Sequence, residues 1–142
     1  MKARGEPRRD RRIREHLDAD EPLYASATFN TGSVAKAALR GGVAPIVRLA
    51  VTDRRFIMFA TSDLALNLKL GDLLRSVPFS DIECVQASKV RPLGVSGLRL
   101  HVSLSDKSEL AFEASGFTVA SARRLVPIFE EAVASYRKRA GQ

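Results

Sequence analysis

The sequence predicts a mainly β domain with α content: about seven antiparallel strands, one C-terminal amphipathic helix, and a short N-terminal helix. Three observations predict it. Apolar and polar residues alternate with period two through the middle of the chain, the mark of strands with one buried face. Short polar turns interrupt that alternation at close spacing. The period then changes near the end, where Ala122, Leu125, Val126, Phe129, Ala132, Val133 and Tyr136 recur three and four apart on one helical face. A sheet with one apolar face must close on itself or pack against a second layer. The final helix is expected to plug one open end of the barrel that results.

Taken in order, the elements begin with a polar, unstructured start containing Gly5 and Pro7. A short helix over 8–17 follows, with only Ile13 and Leu17 on its apolar side. So short a helix is marginal in water unless it docks on something. The first strand is Leu23–Phe29. Residues 30–45, with Gly32, Gly41 and Gly42, read as a long loop with a helical turn around 34–39. Val47–Thr52 and Arg55–Ala60 are joined by Asp53-Arg54, and so short a polar link makes an antiparallel hairpin. Leu64, Leu66, Leu68 and Leu70 keep period two, but Gly71 and Asp72 interrupt, which leaves strand and loop both open for this piece. Leu73–Pro78 is a strand that Pro78 ends or places at an edge. Ser80-Asp81 turns the chain into Ile82–Val90. After a loop marked by Pro92, Gly94 and Gly97, Leu98, Leu100, Val102 and Leu104 alternate cleanly, and Ser105-Asp106-Lys107 leads to a last strand with Leu110 and Phe112 inward. Thr118 or Ser121 is placed to cap the final helix. Pro127 inside it removes a hydrogen bond at a cost of ~3 kcal/mol and predicts a kink.

The 142 residues suit one domain large enough to bury a core without disulfides or metal. A basic tail and short helix take residues 1–20, and the domain proper takes 21–140. No apolar run approaches the ~20 residues that span a bilayer. The N-terminus lacks the apolar segment of a secretory signal. The single cysteine, Cys84, points to a reducing cytoplasm, and small buried core residue is its expected role.

The net charge of +7 lies in the tails. Residues 1–16 hold seven basic and three acidic side chains, and Arg137, Lys138 and Arg139 add three more positive charges. Residues 17–136 balance, thirteen against thirteen. Basic tails meet nucleic acid or lipid headgroups, or serve solubility alone; for tails this short, solubility is favoured.

The hairpin Ala50-Val51-Thr52-Asp53-Arg54-Arg55-Phe56 and the later Ser76-Val77-Pro78-Phe79-Ser80-Asp81-Ile82 resemble the corresponding hairpin and sheet-crossing segments of bacterial pleckstrin-homology-like (PH-like) domains. The resemblance covers roughly residues 21–138. It implies a seven-stranded antiparallel barrel or orthogonal sandwich, capped by the C-terminal helix and without a catalytic centre. Eukaryotic relatives bind phosphoinositides through a lysine closing the first strand and a basic-x-basic pair in the second. Here the first strand closes with Thr28, Phe29 and Asn30, and the second carries Arg48 but Ala50 at the second basic position. The resemblance therefore favours protein binding or self-assembly over inositol-phosphate recognition.

No phosphate-cradling glycine loop with its lysine, no paired-cysteine spacing and no H-E-x-x-H occur. Neither His16 nor His101 suggests a metal site; both are expected to be solvated. Asp53, Asp81 and Asp106 occupy turns, where their carboxylates bond nearby backbone. Arg54 and Arg55 are expected to be structural. Candidate anion-binding residues are Lys36 and Arg40 in the long loop, Arg48, and Lys89, Arg91 and Arg99 bracketing the Pro92–Gly97 loop. Arg8, Arg9, Arg11 and Arg12 are candidates for contact with a membrane or polyanion.

A non-enzymatic binding or adaptor module is thus expected, with no cofactor. Its partner is a protein or another copy of itself, met through an exposed strand edge or the loops at 30–45 and 61–72. The alternatives are peripheral attachment to anionic lipid through the basic tails and, third, nucleic-acid binding, disfavoured because the few aromatics fall within strands.

Overall fold

The computed structural model describes residues 8–32, 39, 41, 45–62, 69–91 and 94–141. A helix α1 (Arg8–Arg14) precedes seven strands: β1 (Leu23–Thr31), β2 (Ile46–Thr52), β3 (Arg55–Ser62), β4 (Lys69–Pro78), β5 (Ile82–Val90), β6 (Gly97–Leu104) and β7 (Glu109–Ser115). Short 3-10 turns occupy Phe79–Asp81 and Gly116–Thr118, and α2 (Val119–Ala140) ends the chain. All pairings are antiparallel, in the order β4-β3-β2-β1-β7-β6-β5. The sequence-adjacent strands β4 and β5 therefore lie at opposite ends of the sheet. The expected closed barrel is corrected here: β4 and β5 do not pair, and a seam stays open between them.

One face of the sheet curls around α2. Ala27 and Phe29 of β1, Leu49 and Val51 of β2, Phe56 of β3, Leu100 and Val102 of β6 and Phe112 of β7 meet Ala122, Leu125, Phe129 and Val133 of the helix in one core. Phe129 stands at its centre, with ring centroids 5.2 Å from Phe56 and 6.1 Å from Phe79. Burying a side chain of this size contributes on the order of 2–3 kcal/mol. Helix α2 runs through Pro127 as one element. Its N-terminus departs from expectation: Thr118 donates its hydroxyl to the Ser115 carbonyl, Ser121 lies within the helix, and no side chain caps the first turn. Cys84 is half-buried rather than in the core, because its register partner is the outward-facing Ser103.

The sheet's other face carries a second, smaller core. Ile13 of α1 is completely buried against Ala50, Ile57 and Phe59, with Leu17, Leu23 and Leu70 packed around them. This is why every residue from Val47 to Thr52 is buried although alternate side chains leave the main core. A polar clasp fixes the segment that carries Ile13. Ser26 donates to Asp10 at 3.0 Å, Thr52 to Glu21 at 2.7 Å, and Arg55 to both Glu21 oxygens at 2.9 Å and to the His16 carbonyl. Arg54 spans Asp53, Asp18 and Asp20. A seven-residue helix that would melt in water is thus held by tertiary contacts. The pieces expected around 34–39 and over 63–68 lie outside the described residues, whereas Leu70 belongs to β4.

Candidate functional site

The two end strands of the sheet, β4 and β5, each pair with one neighbour, and they are built differently. Strand β4 is irregular. Met58 pairs with Arg75 and Phe59 with Leu73, so Leu74 has no partner; Gly71 and Asp72 then lie opposite Ala60 alone. A Cβ on Gly71 would sit 3.1 Å from the Ala60 carbonyl oxygen, so the second bulge leaves little room for a side chain there. Bulges twist an edge away from further pairing, and Asp72 and Arg75 add charge to it. Leu74, 54% exposed, stands on this interrupted edge.

Strand β5 is regular. Its one register shift is near Glu83, where Arg137 of α2 donates to the Ile82 and Glu83 carbonyls at 2.7 Å. From Cys84 to Val90 it pairs residue for residue with Ser103 back to Gly97. Its other flank carries no strand among the described residues. At about 3.3 Å per residue this is a straight edge of roughly 23 Å. Cys84, Gln86 and Ser88 share the outer face with His101 and Arg99, while Val85, Ala87 and Lys89 share the inner face with Val102, Leu100 and Leu98. Residues 86–89 are exposed, and within 84–90 only Lys89 is charged.

The expected anion-binding residues do not form one site. Lys36 and Arg40 lie outside the described residues. Arg48 is buried, with its guanidinium donating to Ser26 and to Thr28 Oγ1 at 2.9 Å. Arg99 is held 2.6 Å from the buried carboxylate of Glu113, its register partner across β6 and β7. Lys89 and Arg91 are exposed and make no ion pair among the described residues. Of the N-terminal arginines, Arg8 and Arg9 fall at the start of α1, Arg11 is exposed, and Arg12 donates to the Leu70 carbonyl. His16 is exposed with its ring edge on Phe59, 5.2 Å away, and His101 is half-buried.

The perturbed titrating groups belong to the clasp and a turn. Burial pushes the Glu21 carboxyl up, but hydrogen bonds from Arg55, Thr52 and the Asp18 amide outweigh it and hold the pKa at about 2. Arg54 and Arg55 are raised, first by hydrogen bonds to Asp53 and Glu21 respectively. Asp106 is lowered by the hydroxyl and amide of Ser108 in the β6–β7 turn.

Two concavities, among others of the surface, are formed by the described residues. A groove of about 460 Å³ between α2 and the start of β1 is lined by Tyr24, Asp53, Ile128, Glu131 and Arg139, among others. Sequence reasoning missed the exposed Tyr24, which sits at the irregularity between Leu23 and Ala25. A polar cleft of about 210 Å³ at the open seam is bounded by Arg75, Asp81, Ser105 and Asp106. Among the described residues no group of histidine, cysteine and carboxylate side chains is disposed to hold a metal ion. No described helix is long and apolar enough to cross a membrane.

No protein-family model and no curated protein matches the sequence. Solved structures do match in fold. The hSac2 domain from the human phosphoinositide phosphatase Sac2 aligns with a TM-score of 0.55 at 12% identity, over 94% of this chain and 80% of that one. The C-terminal domain of an unknown protein from Leishmania infantum aligns with a TM-score of 0.50 at 15% identity, over 82% of this chain and 90% of that one. At such identities the likeness is one of architecture.

Proposed function

We propose that this chain is a non-enzymatic binding module that accepts an extended protein segment as an added strand on β5. The segment comes from another protein or from a second copy of the chain. The observation that carries this is the regular flank of Cys84–Val90, on which no strand pairs among the described residues. Backbone groups on such a flank supply affinity, and alternate side chains supply selectivity. The small residues Ala87 and Ser88 let another backbone approach. The contrast with β4 supports the choice of edge, since the bulges and charges there oppose pairing. A binding role rather than a catalytic one is supported by the use made of the charged groups: Glu21, Arg54 and Arg55 hold the N-terminal segment to the β2–β3 hairpin. We place the module in the cytoplasm and assign it a place among PH-like domains on the hairpin and crossing motifs.

Size-exclusion chromatography with light scattering tests this, using the chain alone and after incubation with extract. The chain should dimerise at high concentration or retain a protein partner. A variant with Gln86→Lys and Ala87→Lys should keep its circular-dichroism spectrum and lose that association. A monomer that retains nothing, or an association indifferent to the two lysines, contradicts the proposal.

A further inference from the structure

The β5–β6 hairpin tip and the first turns of α2 are adjacent in space. Val90 pairs with Gly97, and Gly97 pairs with Ser115, the last residue of β7 before the turn into α2. Arg123 closes the junction, donating to Ser96 Oγ at 3.2 Å. The segments meeting here, 84–105 and 114–129, contain five basic residues and no acidic one. Of the carboxylates that border these segments, Glu83, Asp106, Glu113 and Glu130, Glu113 is occupied by Arg99 and Glu83 by Lys107. Lys89, Arg91, Arg123 and Arg124 are all exposed around the junction. Val95 projects from the tip, 48% exposed. Its preceding residue, Gly94, has φ +81°, a conformation that favours glycine and turns the chain tightly there.

We infer that this end of the domain is a docking surface for an anionic lipid bilayer, sharing only Lys89 with the strand-accepting edge and separate from the N-terminal arginines. Lys89 of β5, Arg91 just after it, and Arg123 and Arg124 of α2 make no ion pair among the described residues and attract a negative surface, at about 1 kcal/mol each near the headgroups. An apolar residue at the apex enters the interface where a charged one would stay out. A nucleic-acid strand is the poorer fit. The exposed aromatic among the described residues, Tyr24, lies on the α2 groove rather than beside these cations, and stacking on bases relies on exposed aromatics.

Co-sedimentation of the full chain with vesicles of phosphatidylcholine and phosphatidylserine at physiological salt tests the inference. Binding is expected, and it should vanish with phosphatidylcholine alone. Replacing Arg91, Arg123 and Arg124 together by alanine should weaken it on the order of a hundred-fold. Replacing the same three by lysine should leave it nearly intact, because a diffuse surface reads charge rather than guanidinium geometry. Val95→Asp should weaken it about ten-fold. The combined replacement of Arg8, Arg9, Arg11 and Arg12 by alanine should have the smaller effect. Absence of binding, failure of the lysine variant, full competition by inorganic phosphate, or tighter binding to a short RNA than to vesicles would each overturn the inference. All the substituted side chains described at the tip and helix are exposed, so a native circular-dichroism spectrum is expected throughout.

Discussion

Strands β4 and β5 leave the same 3-10 turn at Phe79–Asp81 and finish at opposite ends of the sheet, yet only one is defended. β4 carries two irregularities, a tightly packed glycine and two opposite charges that disrupt its outer flank. The N-terminal segment also reaches it, with Arg12 on the Leu70 carbonyl. β5 is anchored at its base by Arg137 and is otherwise plain for seven residues. Both strands hydrogen-bond to one neighbour, so edge position alone does not distinguish them. The difference lies in register, which decides whether a further backbone can follow the strand.

The largest expected effect removes what the two edges share. Phe129→Ala opens a cavity between both halves of the sheet and should cost about 3–5 kcal/mol. Urea unfolding should show a lower midpoint, and amide exchange should rise in β4 and β5 alike. A loss confined to one edge would mean that the halves have separate cores.

Glu21→Gln separates the edges. It leaves Arg55 without its carboxylate and should cost about 2 kcal/mol in the same unfolding measurement. Exchange should rise in residues 8–22 and β3 and remain unchanged in β5. Acid should act similarly. With the Glu21 pKa held at about 2 in the fold, below its unfolded value, the clasp contributes fully above the unfolded pKa. That contribution is lost as pH falls toward 2, and Glu21→Gln should flatten this part of the stability profile. A clasp that weakened on raising pH instead would reverse the sign and refute the assignment.

Leu74→Asp is the smallest change. Leu74 has no register partner and is exposed, so stability should move by less than about 0.5 kcal/mol and association should persist. Loss of association on this substitution would transfer the binding role to β4.

Much of the fold, though not this contrast, was legible in the sequence. Period-two alternation located β6, because one face meets the main core and the other is half-buried beside polar partners, while β2 and β3 were marked by the short turn between two apolar runs. Asp53-Arg54 marked the hairpin, and Pro78 the end of β4. The second core was not legible. Ala50, Ile57 and Phe59 on the opposite face read as ordinary strand residues until Ile13 covers them, and Ile13 is a lone apolar residue among arginines. Pairing partners decide the rest. Arg48 and Arg99 look like free cations in sequence, but Ser26 and Thr28 engage one and Glu113 the other across strands. The bulges that distinguish β4 from β5 depend on register, which a single strand's sequence does not carry. The open seam follows from geometry at Phe79–Asp81, where the chain turns between the edges without joining them.

Amide hydrogen exchange along β5, compared between dilute and concentrated or partner-bound protein, bears most directly on the strand-accepting edge. Amides between Cys84 and Val90 that face away from β6 should exchange rapidly when dilute and become protected on association, while β4 stays unchanged. Protection appearing in β4, or none in β5 despite association, would contradict the assignment.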